Sequence, residues 1–276
     1  PMGRRQRGAA LLLAMWLVLL LSGLVAGYAM AARIESMQGN GAVRGLAAAQ
    51  AARAGVEVAV ARMADADPQR RWGADGRGNR VVLAGASVEV SVRDETAKVD
   101  LNAASPDLLA RLFMRLGEPR AAATRLAGAI LDWRDPDALV QIAGGAEDPD
   151  YAAAGLPWGA KDAPFETVAE VEQVLGMRPA LFAAAAPHLT VYTGTPVPDA
   201  RFADAVVLAA MGVARPAQAD PEALPPGGSG TYSIDSRARL ADGRSAQLSV
   251  VVRVGGNALP GSTYTPLRWQ DGAAAP

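Results

Sequence analysis

Residues 9–32, AALLLAMWLVLLLSGLVAGYAMAA, decide how the rest of this chain is laid out. No charged side chain occurs between Arg7 and Arg33. As a helix rising ~1.5 Å per residue the run would reach about 36 Å, long enough to cross a bilayer. Arg4, Arg5 and Arg7 precede it with no acid among them. A basic flank is retained on the cytoplasmic side, so the chain beyond Ala32 is expected on the opposite side.

Ala29-Met30-Ala31 would suit a cleaved secretory signal, but the apolar run exceeds the ~7–15 residues of a signal core. A plain signal anchor accounts for length and charge, yet not for the junction where RRQR meets Gly8 and the apolar run begins without a spacer. That junction resembles the leader of type IV pilin-like proteins, which a prepilin peptidase cuts after the glycine. The resemblance implies cleavage between Gly8 and Ala9 and N-methylation of Ala9. The residue after the cut is usually Phe in that family and the fifth is usually Glu; here they are Ala9 and Leu13.

With 27 basic and 28 acidic residues the formal net charge is −1, so no global field draws nucleic acid or anionic membrane. The absence of cysteine excludes disulfides, thiolate metal sites and cysteine catalysis. Packing, hydrogen bonds or a hard metal ion remain to hold the exported part together.

From Arg33 to Ala66 the pattern stays helical, with Val43, Leu46, Ala47, Gln50, Ala54, Val58 and Ala61 near one face. Gly39, Asn40, Gly41 and Gly45 are expected to loosen or kink the helix. Asp65 to Arg80 reads as a loop. VVLAGASVEVSVRDET then alternates as a strand or hairpin, Val88, Val90 and Val92 against Ser87, Glu89, Ser91 and Arg93. Ser105 and Pro106 cap a helix that Gly117 ends, and a second helix is expected from Pro119 to Trp133. FETVAEVEQVLGMRPALFAAAAPHL (165–189) repeats this plan. DARFADAVVLAAMG predicts a short helix closed by Gly212, before a Pro/Gly-rich linker. The end returns to strands, with Asp242-Gly243 as a hairpin turn and a last strand from Tyr264 to Trp269.

Between the helical pairs lies LDWRDPDALVQIAGGAEDPDY, in which Asp132, Asp135, Asp137, Glu147, Asp148 and Asp150 face a lone Arg134. Two readings stand here. If the loop is compact, such crowding needs a cation, and calcium accepts irregular oxygen cages; if it is open, these are solvated acids, and no EF-hand spacing argues otherwise.

LDWRDPD, GAEDPDY, the LPW segment, the FETVAEVEQVLGM turn, LTVYTGTP and DETAKVDLN together resemble the K-type minor pseudopilins of type II secretion systems. Lack of the fifth-residue glutamate is also a habit of that branch. The resemblance implies an α+β, pilin-like fold: a long N-terminal helix on an antiparallel sheet, with a large α-helical domain inserted between strands and calcium, one or two ions, in the acidic loop. The expected division is a leader (1–8), a transmembrane part of the helix (9–32), its periplasmic part (33–66), a first part of the sheet (67–99), the inserted domain (100–212), a linker (213–230) and C-terminal strands (231–276). It further implies a place in the bacterial inner membrane and partnership with prepilin peptidase and with minor pseudopilins of the I and J types.

Two helices joined by a Leu-Gly turn also resemble a helix-hairpin-helix unit, which leaves a membrane-anchored DNA-binding protein of the competence type as the alternative. Charge opposes it, because Asp107 and Glu118 offset Arg111, Arg115 and Arg120, and only Arg178 stands near Glu166, Glu170 and Glu172. His188, the one histidine, ends an apolar helix and reads as structural. Asp132 and Asp135 could form a glycosidase pair, but no aromatic sugar platform accompanies them. No other catalytic motif occurs, and no enzyme is expected.

Overall fold

A computed structural model describes residues 6–214, 228–255 and 263–272. The first leader residues, including Arg4 and Arg5, and most of the expected linker lie outside them.

A single helix, α1 (Gln6–Met63), runs unbroken through the glycines at 39, 41 and 45. Its stretch Ala10–Glu35 is long and apolar enough to cross a membrane and is not buried by the rest of the chain. The C-terminal half lies on a five-stranded antiparallel sheet of order β1-β2-β5-β6-β7. Its strands are β1 (Asp75–Leu83), β2 (Ala86–Asp94), β5 (Thr231–Arg239), β6 (Ser245–Val254) and β7 (Tyr264–Asp271). β1 begins at Asp75, inside the stretch expected to be loop, because its ladder to β2 reaches back to an Asp75–Arg93 pairing across a bulge.

The buried face of α1 is the reverse of the expected one. Ala48, Ala51, Ala52, Gly55, Val56, Ala59 and Val60 are buried, whereas Val43 and Leu46 are 67% and 61% exposed. Larger apolar residues suggested the other face, but the sheet comes too close for them. A Cβ on Gly55 would strike Ser236 Oγ and come within 2.9 Å of Val88. On the sheet, Val88, Val90, Val92, Ile234, Val250 and Val252 complete this core, and the alternation expected along β2 holds.

Between β2 and β5 the chain makes a helical insertion with its own core. It contains α2 (Pro106–Arg115), α3 (Arg120–Arg134), α4 (Asp148–Ala153), α5 (Pro179–Ala185) and α6 (Ala205–Met211). Ser105 caps α2 by accepting from the Leu108 N–H at 3.3 Å, and Gly212, at φ +75°, closes α6. The first member of the second pair is only a 3-10 turn, Val168–Gln173.

A short parallel pair, β3 (Val99–Asp100) with β4 (Leu189–Thr190), closes the neck of the insertion. Here DETAKVDLN supplies three buried acids. The Asp94 carboxylate accepts from the N–H and hydroxyl of Thr96 and of Ser229, tying the exit from β2 to the return into β5. Asp100 accepts from the backbone of Asn102, Thr193 and Gly194 and from the Thr193 hydroxyl. Glu95 pairs with Lys98 Nζ at 2.6 Å and takes hydroxyl bonds from Thr190 and Ser233.

Candidate metal centre

The last turn of α3 and the start of α4 bring acids from both ends of the loop into one corner. Asp132, fully buried on α3, accepts from the Ala146 N–H at 2.7 Å and the Gln141 N–H at 3.2 Å, which folds the loop back onto its own helix. Gly144 and Gly145 make that return possible: a Cβ on Gly145 would collide with the Asp132 carboxylate, and one on Gly128 with the Gly144 carbonyl. Glu147 caps the start of α4, and its N–H donates to Asp150 at 3.0 Å. Trp133, Tyr151 and Phe165 pack beneath the corner with ring centroids 6.0 and 6.2 Å apart.

Carboxylate oxygens of Asp132, Asp135 and Glu147 lie within 4.8 Å of one another. Glu147 is 4% exposed. Its Oε1 and the Oδ1 of Asp135 are buried with no hydrogen-bond donor among the described residues. Burial, reinforced by the charges of Asp132, Asp162, Asp135 and Asp148, pushes the Glu147 carboxyl up to about 7. Burial also raises Asp132, and Asp135 is raised by burial and by Asp137. Arg134 offsets Asp135 only in part, because its guanidinium donates to the Leu101 and Ala104 carbonyls and not to the corner.

The other acids take different places. Asp148 accepts from the Ala160 N–H at 3.1 Å, pulling the 155–162 loop over the corner. Asp150 caps α4, and exposed Asp137 closes its own turn by accepting from the Leu139 N–H. Asp162, which sequence reasoning did not single out, faces Glu147 from that loop with a backbone φ of +53°. An acid just ahead of the Pro164-Phe165 pair was the available signal. Orphaned buried oxygens, an oxygen-only donor set and several like charges without a cation are what a hard ion such as calcium requires. Asp132, Asp135 and Glu147 could hold it, with Asp162 and Asp148 adjoining. His188 stands apart, its Nδ1 2.7 Å from Asp204 Oδ2.

No curated protein sequence matches the chain. Residues 84–194, from β2 through the acidic corner to the neck, match the family model of the type II secretion system, protein K. Among solved structures, a chain of the GspK-GspI-GspJ complex from the enterotoxigenic Escherichia coli type 2 secretion system is similar with a TM-score of 0.61 at 19% identity, over 87% of this chain and 99% of that one. At that identity the likeness speaks for the fold, a pilin-like α+β plan. The family match falls on the insertion and its neck, so this segment is similar to protein K of type II secretion systems, carried on a fold similar to that of the chain in the GspK-GspI-GspJ complex.

Proposed function

We propose that this protein sits at the tip of a periplasmic pseudopilus, which it initiates or caps for the export of folded proteins. The observation that carries this reading is the helical insertion between β2 and β5, a body that would obstruct the stacking of another subunit above it. Leu13 agrees with it, since an apolar side chain cannot neutralise a neighbouring subunit's terminal amine within an apolar filament core.

The partners in this reading are minor pseudopilins of the I and J types, as in the solved complex, packed on the α1 face that carries exposed Val43 and Leu46. Prepilin peptidase cuts between Gly8 and Ala9 and methylates Ala9, and the span Ala10–Glu35 anchors the protein in the inner membrane with its main domain in the periplasm. Calcium occupies the corner of Asp132, Asp135 and Glu147, where it neutralises crowded carboxylates and fixes the loop.

The chain has no cysteine, so Val43→Cys provides a unique thiol. Thiol cross-linking in cells should join it to another minor pseudopilin, and mass spectrometry should find N-methylalanine at position 9. A cross-linked dimer of two copies of this chain as the main product would overturn the terminal placement, and a mature N-terminus at Ala32 would overturn the anchor.

A further inference from the structure

The insertion carries a second charged feature, on the side formed by α2 and α3. Arg111 and Arg115 stand one turn apart on α2, and Arg120 opens α3; with Met114 and Thr124 they line a crevice of ≈ 530 Å3 that also holds Asp107. The sequence suggested that Glu118 would offset these arginines, but Glu118 is engaged by Arg178 instead. Among the described residues, no ion pair joins Arg115 or Arg120 to a carboxylate, and Arg111 donates its Nε–H to the Ala210 carbonyl at 2.6 Å. The start of α3 adds to the excess, with no side-chain cap and no acid in its first turn. Like charges at i and i+4 on a helix repel, and one carboxylate, Asp107, lines the crevice against three arginines, so a net positive potential remains there.

We propose that this crevice docks an acidic, extended segment of another protein. Arginines one turn apart, ~6 Å between their Cβ atoms, match carboxylates at alternate positions of an extended strand, ~6.6–6.8 Å apart. Arginine suits the task because its planar fork binds carboxylates in pairs. A duplex would need the stripe to continue across the second helical pair. There Arg178 is tied to Glu118, and Lys161 to Glu166 and Glu170. The proposal is independent of the place of the chain in a filament.

The test is fluorescence anisotropy on the full chain in detergent, with a fluorescein-labelled Glu-Leu-Glu-Leu-Glu peptide as probe. Saturable binding that weakens with salt is expected, with Arg115→Glu and Arg120→Glu each weakening it roughly tenfold and the exposed control Arg239→Glu leaving it unchanged. Equal circular dichroism and melting of the variants would establish that they fold. Absence of saturable binding at low salt, loss of binding in the control as well, or retention in a variant carrying both Arg115→Glu and Arg120→Glu would overturn the proposal. So would displacement of the peptide by duplex DNA, inorganic phosphate or phosphatidylglycerol vesicles at concentrations where a second acidic peptide does not displace it.

Discussion

The neck and the acidic corner bury the same kinds of residue and treat them in opposite ways. At the neck, Asp94 and Asp100 are each surrounded by backbone N–H and hydroxyl donors, and Glu95 lies against Lys98. At the corner, Asp132 finds two backbone donors, but Asp135 and Glu147 keep buried oxygens without any, beside two further acids, Asp162 and Asp148. A carboxylate wrapped in donors is content as an anion within the protein alone, whereas one facing other carboxylates needs a proton or a cation. The neck therefore satisfies its own acids, whereas the corner leaves oxygens of Asp135 and Glu147 without a donor.

With calcium in the corner as proposed, removing it should give the largest effect. With calcium a thousandfold above its Kd, the linkage stabilises the insertion by about 4 kcal/mol, all of it lost with chelator. Hydrogen exchange should rise in residues 135–165 while β5 and β6 stay protected; an exchange pattern indifferent to chelator would mean the acids are simply solvated. The pH dependence sharpens the contrast. Because the Glu147 carboxyl is raised to about 7, the ion-free folded form binds more protons than the unfolded one between about 4.5 and 7. Stability of the ion-free insertion should fall as pH climbs through that window, and calcium affinity should fall as pH drops through it. A chelated protein that gains stability toward pH 7 would contradict this.

Asp94→Ala should do comparable harm for the opposite reason. It strips buried N–H and hydroxyl donors of their acceptor at Thr96 and Ser229, which costs about 2–3 kcal/mol. Calcium should leave that loss unchanged in denaturant melts. Rescue by calcium would show that neck and corner are one cooperative unit.

Much of the sheet was legible because a strand's two-residue period is local: Val88, Val90 and Val92, and the Asp242-Gly243 turn, announce themselves. The buried face of α1 was not, since it is chosen by how close the sheet approaches. Gly55 and the alanines win there because they are small, a property that hydrophobic periodicity weights against. At the corner the acids could be pooled but not sorted. A loop has no period to say which oxygens converge, and Asp162 arrives only because Asp148 holds the following loop through Ala160. DETAKVDLN was visible as a resemblance, but its role depends on Ser229 and Thr193, far along the chain.

The smallest expected effect lies at a third carboxylate, which joins the two units. Asp204 caps α6 through the Val206 and Val207 N–H groups, and its other oxygen meets both His188 of the insertion and Arg93 of β2, at 2.7 and 3.1 Å. Burial opposes its charge, but the His188 bond, the Val207 N–H and the Arg93 guanidinium outweigh it and hold the carboxyl at about 2. A lowered carboxyl contributes stability that is present above its unfolded value near 4 and is lost as pH falls toward 2. Asp204→Asn retains an oxygen for the cap but loses the charge that Arg93 and His188 share. It should therefore cost only about 1 kcal/mol, read as a small drop in melting temperature at pH 7 that vanishes near pH 2. Because Arg93 belongs to the sheet, the variant should also separate the unfolding of sheet and insertion in chelated samples, where the insertion is weakest. A single transition unchanged by both chelator and Asp204→Asn would mean that the neck alone couples the two units.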